Sequence, residues 1–303
     1  MRTASTAAVR QPWEEPWWHI ADGQTPVFVH LVTIHALAAV GLVLYTFPGW
    51  PVFLAAVALV GLGGLGTTVC YHRALAHRSV RLHPVVEQML IGAAVFNGSG
   101  APRQWVANHR RHHATSDTPS DISSPRQGGF WWAHIFWLYQ IPDSDPARWS
   151  TDMDRGRYNA WTKFQIPVIA LSVTAGALLG WAAFFWVGAI RLVYSLHLQC
   201  LVNSLTHLGQ EGKDGSDSSI NVWWLGPFQL TAWGENWHRN HHSEPGSARF
   251  GRRWWQTDMG WYAIWSLERL GLAQVARRGN APAAEATTGL GPGVGSGAAR
   301  PPG

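Results

Sequence analysis

The apolar positions of this chain are gathered in blocks rather than spread at helix or strand period. No charged residue occurs from Thr25 to Tyr71, and from Phe164 to Leu208 the single charge is Arg191. Each block is long enough for two helices of about 20 residues, the length that crosses hydrocarbon. The first block is interrupted at Pro48-Gly49-Trp50-Pro51, a turn signal, and the second near Phe185-Trp186-Val187-Gly188. The pattern predicts two helical hairpins, with spans near 26–47, 50–71, 164–184 and 187–208. The first block reads as a span and not as a cleaved leader, because a second span follows it at once. A third apolar stretch, 84–97, is too short to cross and predicts a re-entrant or surface helix.

Composition sharpens this reading. Of 303 residues, 14% are charged, against about 25% in an ordinary soluble domain, and 47% are hydrophobic, with 20 Trp. Cys70 and Cys200 are the only cysteines, which excludes a disulfide scaffold or a multi-cysteine metal site. In a four-span fold, 22 of the 23 Lys and Arg fall on one side, and Arg191 is placed near the far end of the fourth span. That asymmetry puts both termini and the large loop in the cytoplasm, and with no organelle-targeting signal a bacterial inner membrane is expected. No Asp or Glu lies in a span, as the cost of charge in lipid requires. The formal charge of +5 is then accounted for by membrane lipids and their anionic headgroups, not by nucleic acid. Three regions are expected: residues 1–25, interfacial through Trp13, Trp17 and Trp18; an integral membrane domain at 26–278; and a disordered Gly/Ala/Pro tail at 279–303.

Eight of the 15 histidines form three clusters: His72 with His77; His109, His112 and His113; and His238, His241 and His242. His207 joins them at the end of the fourth span, in Asn203-Ser-Leu-Thr-His207. Offsets of three and four share a helix face, so His109 lies below both His112 and His113, which point about 100° apart. One such helix can feed two neighbouring ions, and the third cluster repeats the spacing. His72 and His77, five apart, need a helix end that unwinds or bends. Asn203 shares a face with His207 and is placed to hold a metal-bound water. Nine imidazoles exceed the four ligands of one structural zinc and suit two ions with open positions. Imidazole binds iron, zinc, copper and nickel alike, so spacing leaves the metal open. His19, His30, His35, His83, His134 and His197 read as ordinary packed or surface residues.

The ordered motifs HRALAH, HRRHH, NSLTH and HRNHH resemble the membrane-bound fatty acid desaturase family, in its delta-9, stearoyl-CoA desaturase-like branch. The resemblance also covers Gly128-Gly-Phe-Trp-Trp-Ala-His134, Gly234-Glu-Asn-Trp-His238, Asp258 and Leu270-Gly-Leu272, about residues 60–275 in all. It implies an all-α membrane protein whose four transmembrane helices, in two hairpins, are capped by a cytosolic helical domain holding a di-iron site. By motif position, one iron takes His72, His77, His109, His113 and His241. The other takes His112, His207, His238 and His242, with Asn203 reaching it through water. The implied reaction is O2-dependent insertion of a cis double bond into a long acyl chain, carried as a thioester or a lipid. No carrier motif occurs in the chain, so an external electron donor of ferredoxin, rubredoxin or cytochrome type is implied. Arg249, Arg252 and Arg253 are its candidate dock.

The same resemblance assigns substrate contacts to Trp105, four residues before His109, and to Gln199 and Asn108. Ala107 and Asn108 replace an Arg-Asp pair that contacts the acyl-CoA headgroup in animal members, and Tyr139-Gln140-Ile141 replaces an Arg-Lys pair. Coenzyme A phosphates favour basic partners, so these departures favour another acyl carrier. Two alternatives stand beside the desaturase: a di-iron hydroxylase or acetylenase acting on an acyl chain or lipid, and a non-catalytic metal-binding membrane protein.

Overall fold

The structure, a computed structural model, describes residues 10–210 and 217–276. The expected tail at 279–303 and the first nine residues of the N-terminal segment lie outside the described residues.

Four helices are long and apolar enough to cross a membrane: α1 (Thr25–Leu44), α2 (Trp50–Ala76), and two we number below as α5 (Gly156–Leu179) and α6 (Trp181–Thr206). At 1.5 Å per residue the 20 residues of α1 span about 30 Å, the hydrocarbon thickness. The 27 residues of α2 overshoot that by about 10 Å and carry its last turns out of the bundle. Between α2 and α5 lie the short strand β1 (Val80–Leu82) and the helices α3 (Pro84–Phe96) and α4 (Pro102–Thr115). After α6 come α7 (His238–Ser243), α8 (Met259–Arg269) and β2 (Ala273–Val275). β2 pairs antiparallel with β1, Val80 opposite Val275, and so ties the C-terminal region to the end of α2.

The second hairpin turns earlier than the sequence pattern suggests. The bend is at Gly180, with φ 104, which only glycine adopts at no cost. The Phe184–Ile190 segment, expected to be the break, is instead a widened turn inside α6. Arg191 therefore sits well inside its helix, not near its far end, and is buried. It donates to the carbonyls of Val187 and Phe96, to Asn97 Oδ1 and to Ser172 Oγ. α5 also starts earlier, at Gly156, because the polar residues 156–163 continue the helix on its way out of the apolar zone.

α6 is the central span and touches α1, α2 and α5. Glycines permit the close crossings: a Cβ on Gly188 would stand 2.2 Å from the Val173 carbonyl oxygen, and one on Gly176 would stand 2.0 Å from that of Ala183. Small residues at such crossings are how membrane helices approach. α3 is the expected short apolar helix, seated on α2 and α5, with Ile91, Ala94 and Val95 fully buried. In the N-terminal segment Trp13 packs edge-on against Trp132 at 5.9 Å, while Trp17 and Trp18 are exposed.

Three of the solitary histidines meet inside the bundle. His35 Nδ1 donates to the Leu31 carbonyl at 2.7 Å, so its Nε2 accepts from His197 Nε2 at 3.0 Å. His197 Nδ1 in turn accepts from His134 Nε2 at 2.9 Å. The carbonyl thus fixes one tautomer along the row and satisfies imidazoles that lipid could not.

Gly188→Leu and Gly176→Leu are each expected to cost about 1–3 kcal/mol by overpacking and to lower the thermal midpoint of the detergent-solubilised protein. Gly156→Ala, whose added Cβ meets nothing within 4 Å, leaves it unchanged. A wild-type midpoint for Gly188→Leu would disprove the close α5–α6 crossing.

Candidate metal centre

The site gathers where α2, α4, α6 and α7 end together. The last eleven residues of α2, Gly66–Ala76, form wide turns with i→i+5 hydrogen bonding, and His77 N donates to the His72 carbonyl at 3.1 Å. Residues five apart stack in such a turn. This is the unwinding that His72 and His77 require, and their rings lie 5.0 Å apart. α4 carries His109, His112 and His113, α7 carries His238, His241 and His242, and His207 follows the last residue of α6.

The nine imidazoles fall into two groups. In the first, one nitrogen from each of His72, His77, His109, His113 and His241 lies within 4.8 Å of all the others; in the second the same holds for His112, His207, His238 and His242. Each helix of HxxHH spacing contributes to both groups, and the partition matches the two ligand sets implied by the family resemblance. Nε2 of His241 is 3.0 Å from Nε2 of both His72 and His113, His77 and His109 stand at 2.8 Å, and His207 and His238 at 3.0 Å. Two nitrogens at right angles on one ion, each about 2.1 Å from it, are about 3.0 Å apart.

Carboxylates decide which nitrogen faces inward. Nδ1 of His72 donates to Glu235 at 2.7 Å, that of His112 to both oxygens of Asp121 at 3.0 Å, that of His207 to Asp117 at 3.1 Å, and that of His242 to Asp217. Each such ring turns a bare Nε2 lone pair into the pocket. Nε2 of His112 and of His242 are buried without a hydrogen-bond partner. Orphaned acceptors of this kind are costly, and a cation supplies what they lack, so the donor set fits a bound metal. Burial and the neighbouring imidazoles hold His77, His109, His113, His238, His241 and His242 well below the ordinary histidine value. For His112 burial pulls the same way, but the charge and hydrogen bond of Asp121, with Asp117 and Asp217, outweigh it and raise the value.

Around the rings the packing is dense. Trp105 stacks on His109 with centroids 4.9 Å apart. Phe250 packs on His72 and His241 at 5.2 and 4.5 Å. Arg73, fully buried, lies 3.9 Å over the Phe250 ring, pairs with Asp258 at 2.8 Å and donates to the carbonyls of Trp233 and Ala248. Asp258 also accepts from the amides of Phe250, Gly251 and Trp261. Beside the first group a cavity opens between α2 and α6. It is lined by Val60, Gly64, Gln199, Val202 and Trp233, with Thr68 and Glu235 at its wall. Glu235 thus touches both the cavity and His72.

Two of the residues expected to make contacts are also engaged by the protein itself. The amide nitrogen of Asn203 donates to the carbonyls of Ser123 and Ala133 at 2.7 and 3.0 Å, so only its Oδ1 remains to meet a water. Asn108 donates to Asp143 and accepts from the Ser144 amide, which ties it to that loop. Glu235 stands inside the Gly234–His238 motif, which does not by itself disclose an imidazole partner, and Asp121 meets His112 from the loop that follows α4. Asp117 and Asp217 carry no local signal, since Asp217 meets His242 only through the fold.

These features define a four-span, all-α membrane protein with a histidine-lined metal pocket at one end of its bundle. The sequence profile of the family described as "Fatty acid desaturase" matches residues 48–275, and the chain belongs to that family. It is 35% identical to "Delta-9 acyl-lipid desaturase 1" of Arabidopsis thaliana, over 87% of this chain and 86% of the relative. It is 38% identical to "sn-1 stearoyl-lipid 9-desaturase" of Anabaena variabilis, over 70% and 78%, and 34% identical to "Acyl-CoA 5-desaturase AL21" of Anemone leveillei, over 89% and 85%. The protein is an oxidoreductase acting on fatty acyl chains.

Two outcomes follow from the charges. The six depressed histidines bind protons more weakly folded than unfolded, so acid favours the unfolded chain. The thermal midpoint of metal-stripped protein is expected to fall steadily as pH drops below 6.5, their ordinary value; a flat profile from pH 7 to 5 would contradict their burial. Arg73→Met leaves Asp258 buried without its cation and is expected to cost about 3–5 kcal/mol by denaturant titration. Arg73→Met with Asp258→Asn recovers part of that loss.

Proposed function

We propose that this protein is an O2-dependent desaturase that places a cis double bond, of delta-9 type, in the acyl chain of a membrane lipid. The observation that carries this reading is the convergence of nine imidazoles into two adjoining groups beside an apolar cavity. His72, His77, His109, His113 and His241 would hold one iron, and His112, His207, His238 and His242 the other. Asn203 would reach the second ion through a water at its Oδ1. When bound, the two irons supply the reduction of O2 that removal of hydrogen from unactivated methylenes demands. The substrate gives up two hydrogens, an external donor gives two electrons, two protons are taken up, and O2 leaves as two waters.

The chain's own residues do the rest. The walls of the cavity hold the alkyl chain extended and exclude water, and Gln199 sets one side of it opposite Gly64 and Trp233. Trp105, stacked on His109, braces the ring that the reacting carbons pass. Glu235 keeps His72 in one tautomer while forming part of the cavity wall. Ala107 and Asn108 offer no charge to a coenzyme A headgroup, and Asn108 is engaged by its own loop; both facts favour a lipid carrier over a thioester. The loop of Arg249, Arg252 and Arg253 bonds back onto α7 through Arg252, which donates to the Asn240 carbonyl at 2.8 Å. It forms a basic surface next to the metal-binding helix, suited to an acidic ferredoxin, rubredoxin or cytochrome. The excess of basic residues at this end of the bundle supports a cytoplasmic site and an inner-membrane location.

Expression in a desaturase-deficient bacterium is expected to yield new cis-monoenes in total lipid, most at carbon 9, and His112→Ala to abolish them. Hydroxylated chains without alkenes would overturn the desaturase reading. Conversion of acyl-CoA but not of acyl-lipid by purified membranes would overturn the carrier.

A further inference from the structure

The two imidazole groups are unequally provided with negative charge. Among the described residues, the first group of five is met by one carboxylate, Glu235 on His72. The second group of four is met by three: Asp121 on His112, Asp117 on His207 and Asp217 on His242. The rings concerned are almost wholly buried, with side-chain exposures of 7%, 0% and 3%, so water screens little of this difference. Asp117 is further fixed by the amide and hydroxyl of Ser218 and the hydroxyl of Ser124. Asp121 is fixed by the amides of Asp117 and Ser123. Asp117 and Asp121 are therefore built into the fold and are not mobile surface charges.

We infer that the two metal positions are inequivalent in redox behaviour: an ion held by His112, His207, His238 and His242 keeps the higher oxidation state, and an ion in the five-histidine group is reduced first. The inference rests on the reading above, that the groups hold a pair of redox-active ions. Its physical basis is charge compensation. A trivalent ion has two uncompensated charges among the first group and none among the second. A divalent ion leaves the first group one uncompensated charge and the second group one charge too negative. A carboxylate behind an imidazole also makes the ring a stronger donor, which favours the more highly charged ion. The step is one electron passing from an external reductant to one ion, trivalent to divalent, with no bond made or broken. Asp117, Asp121, Asp217 and Glu235 are positioning residues here, since they act through the rings they hold.

The test is a mediated reductive titration of the full-length protein, loaded with iron in lipid nanodiscs and followed by Mössbauer spectroscopy. Two one-electron waves are expected, separated by at least tenfold in the equilibrium between positions, about 59 mV. Asp121→Asn is expected to move the lower wave upward and leave the higher one in place. Asp217→Asn, at a less buried carboxylate (22% exposed), does the same and guards against misfolding of the first variant. Glu235→Gln moves only the higher wave, upward, and so widens the gap, while Asp121→Glu stays near the wild type. A single two-electron wave in the wild type, or Asp121→Asn and Glu235→Gln shifting the same wave, would overturn the inference. Wild-type iron content and alkene formation are measured on the same preparation. Protein with two irons and product but one wave fails the inference alone, whereas protein without iron or product fails the functional reading as well.

Discussion

Nine imidazoles crowded at one end of the bundle cannot satisfy one another, and this constraint organises the molecule. A neutral imidazole has one N–H and one lone pair. Once carboxylates accept hydrogen bonds from the Nδ1–H groups of His72, His112, His207 and His242, the lone pairs left inside outnumber the donors. A pocket built this way is stable only with a cation in it, or at the expense of other contacts. The surrounding scaffold carries that load. Arg73, Asp258 and Phe250 form a buried unit pressed against His72 and His241. β1 and β2 pin the end of α2 to the C-terminal region.

The membrane helices deliver the ligands because of their lengths and ends. α2 overshoots the hydrocarbon and changes to wide turns as it leaves, which places two residues five apart in one stack. α6 stops at Thr206, so His207 stands at the bundle rim instead of inside lipid. The cavity lies between the same two helices. The spans that carry the histidines therefore also shape the cavity, and a shift of either helix would move both together.

Much of this was legible in the sequence, for identifiable reasons. The charge-free blocks show the spans because lipid penalises every charge, and HxxHH spacing shows that one helix can serve two neighbouring histidine groups because i, i+3 and i+4 are fixed by helical geometry. The division of nine histidines into five and four followed from motif order under the family resemblance. What stayed hidden depends on contacts between distant segments. Asp217 reaches His242, and Asp117 reaches His207 across ninety residues. The amide of Asn203 is spent on the backbone of a loop eighty residues earlier. The sequence pattern puts the hairpin turn at a bulky aromatic-glycine run, whereas the left-handed residue that makes the turn is Gly180.

Arg191 shows how far a local rule can be overridden. A guanidinium inside a span, with no carboxylate in any span, contradicts the pattern that located the spans. Its neighbours resolve the contradiction. α3 ends within the apolar zone, and the last carbonyls of a helix have no partners of their own. In lipid no water can supply them. Arg191 donates to the Phe96 carbonyl and to Asn97 Oδ1, and its cation lies 4.7 Å from the Phe96 ring. A further donation reaches Ser172 on α5. A lysine has too few donors, fixed too loosely, to join three helices in this way. Asn97 also accepts from Ser195 at 3.1 Å, and both line the cavity. The same charge that closes the end of a short helix therefore holds one wall of the cavity in place.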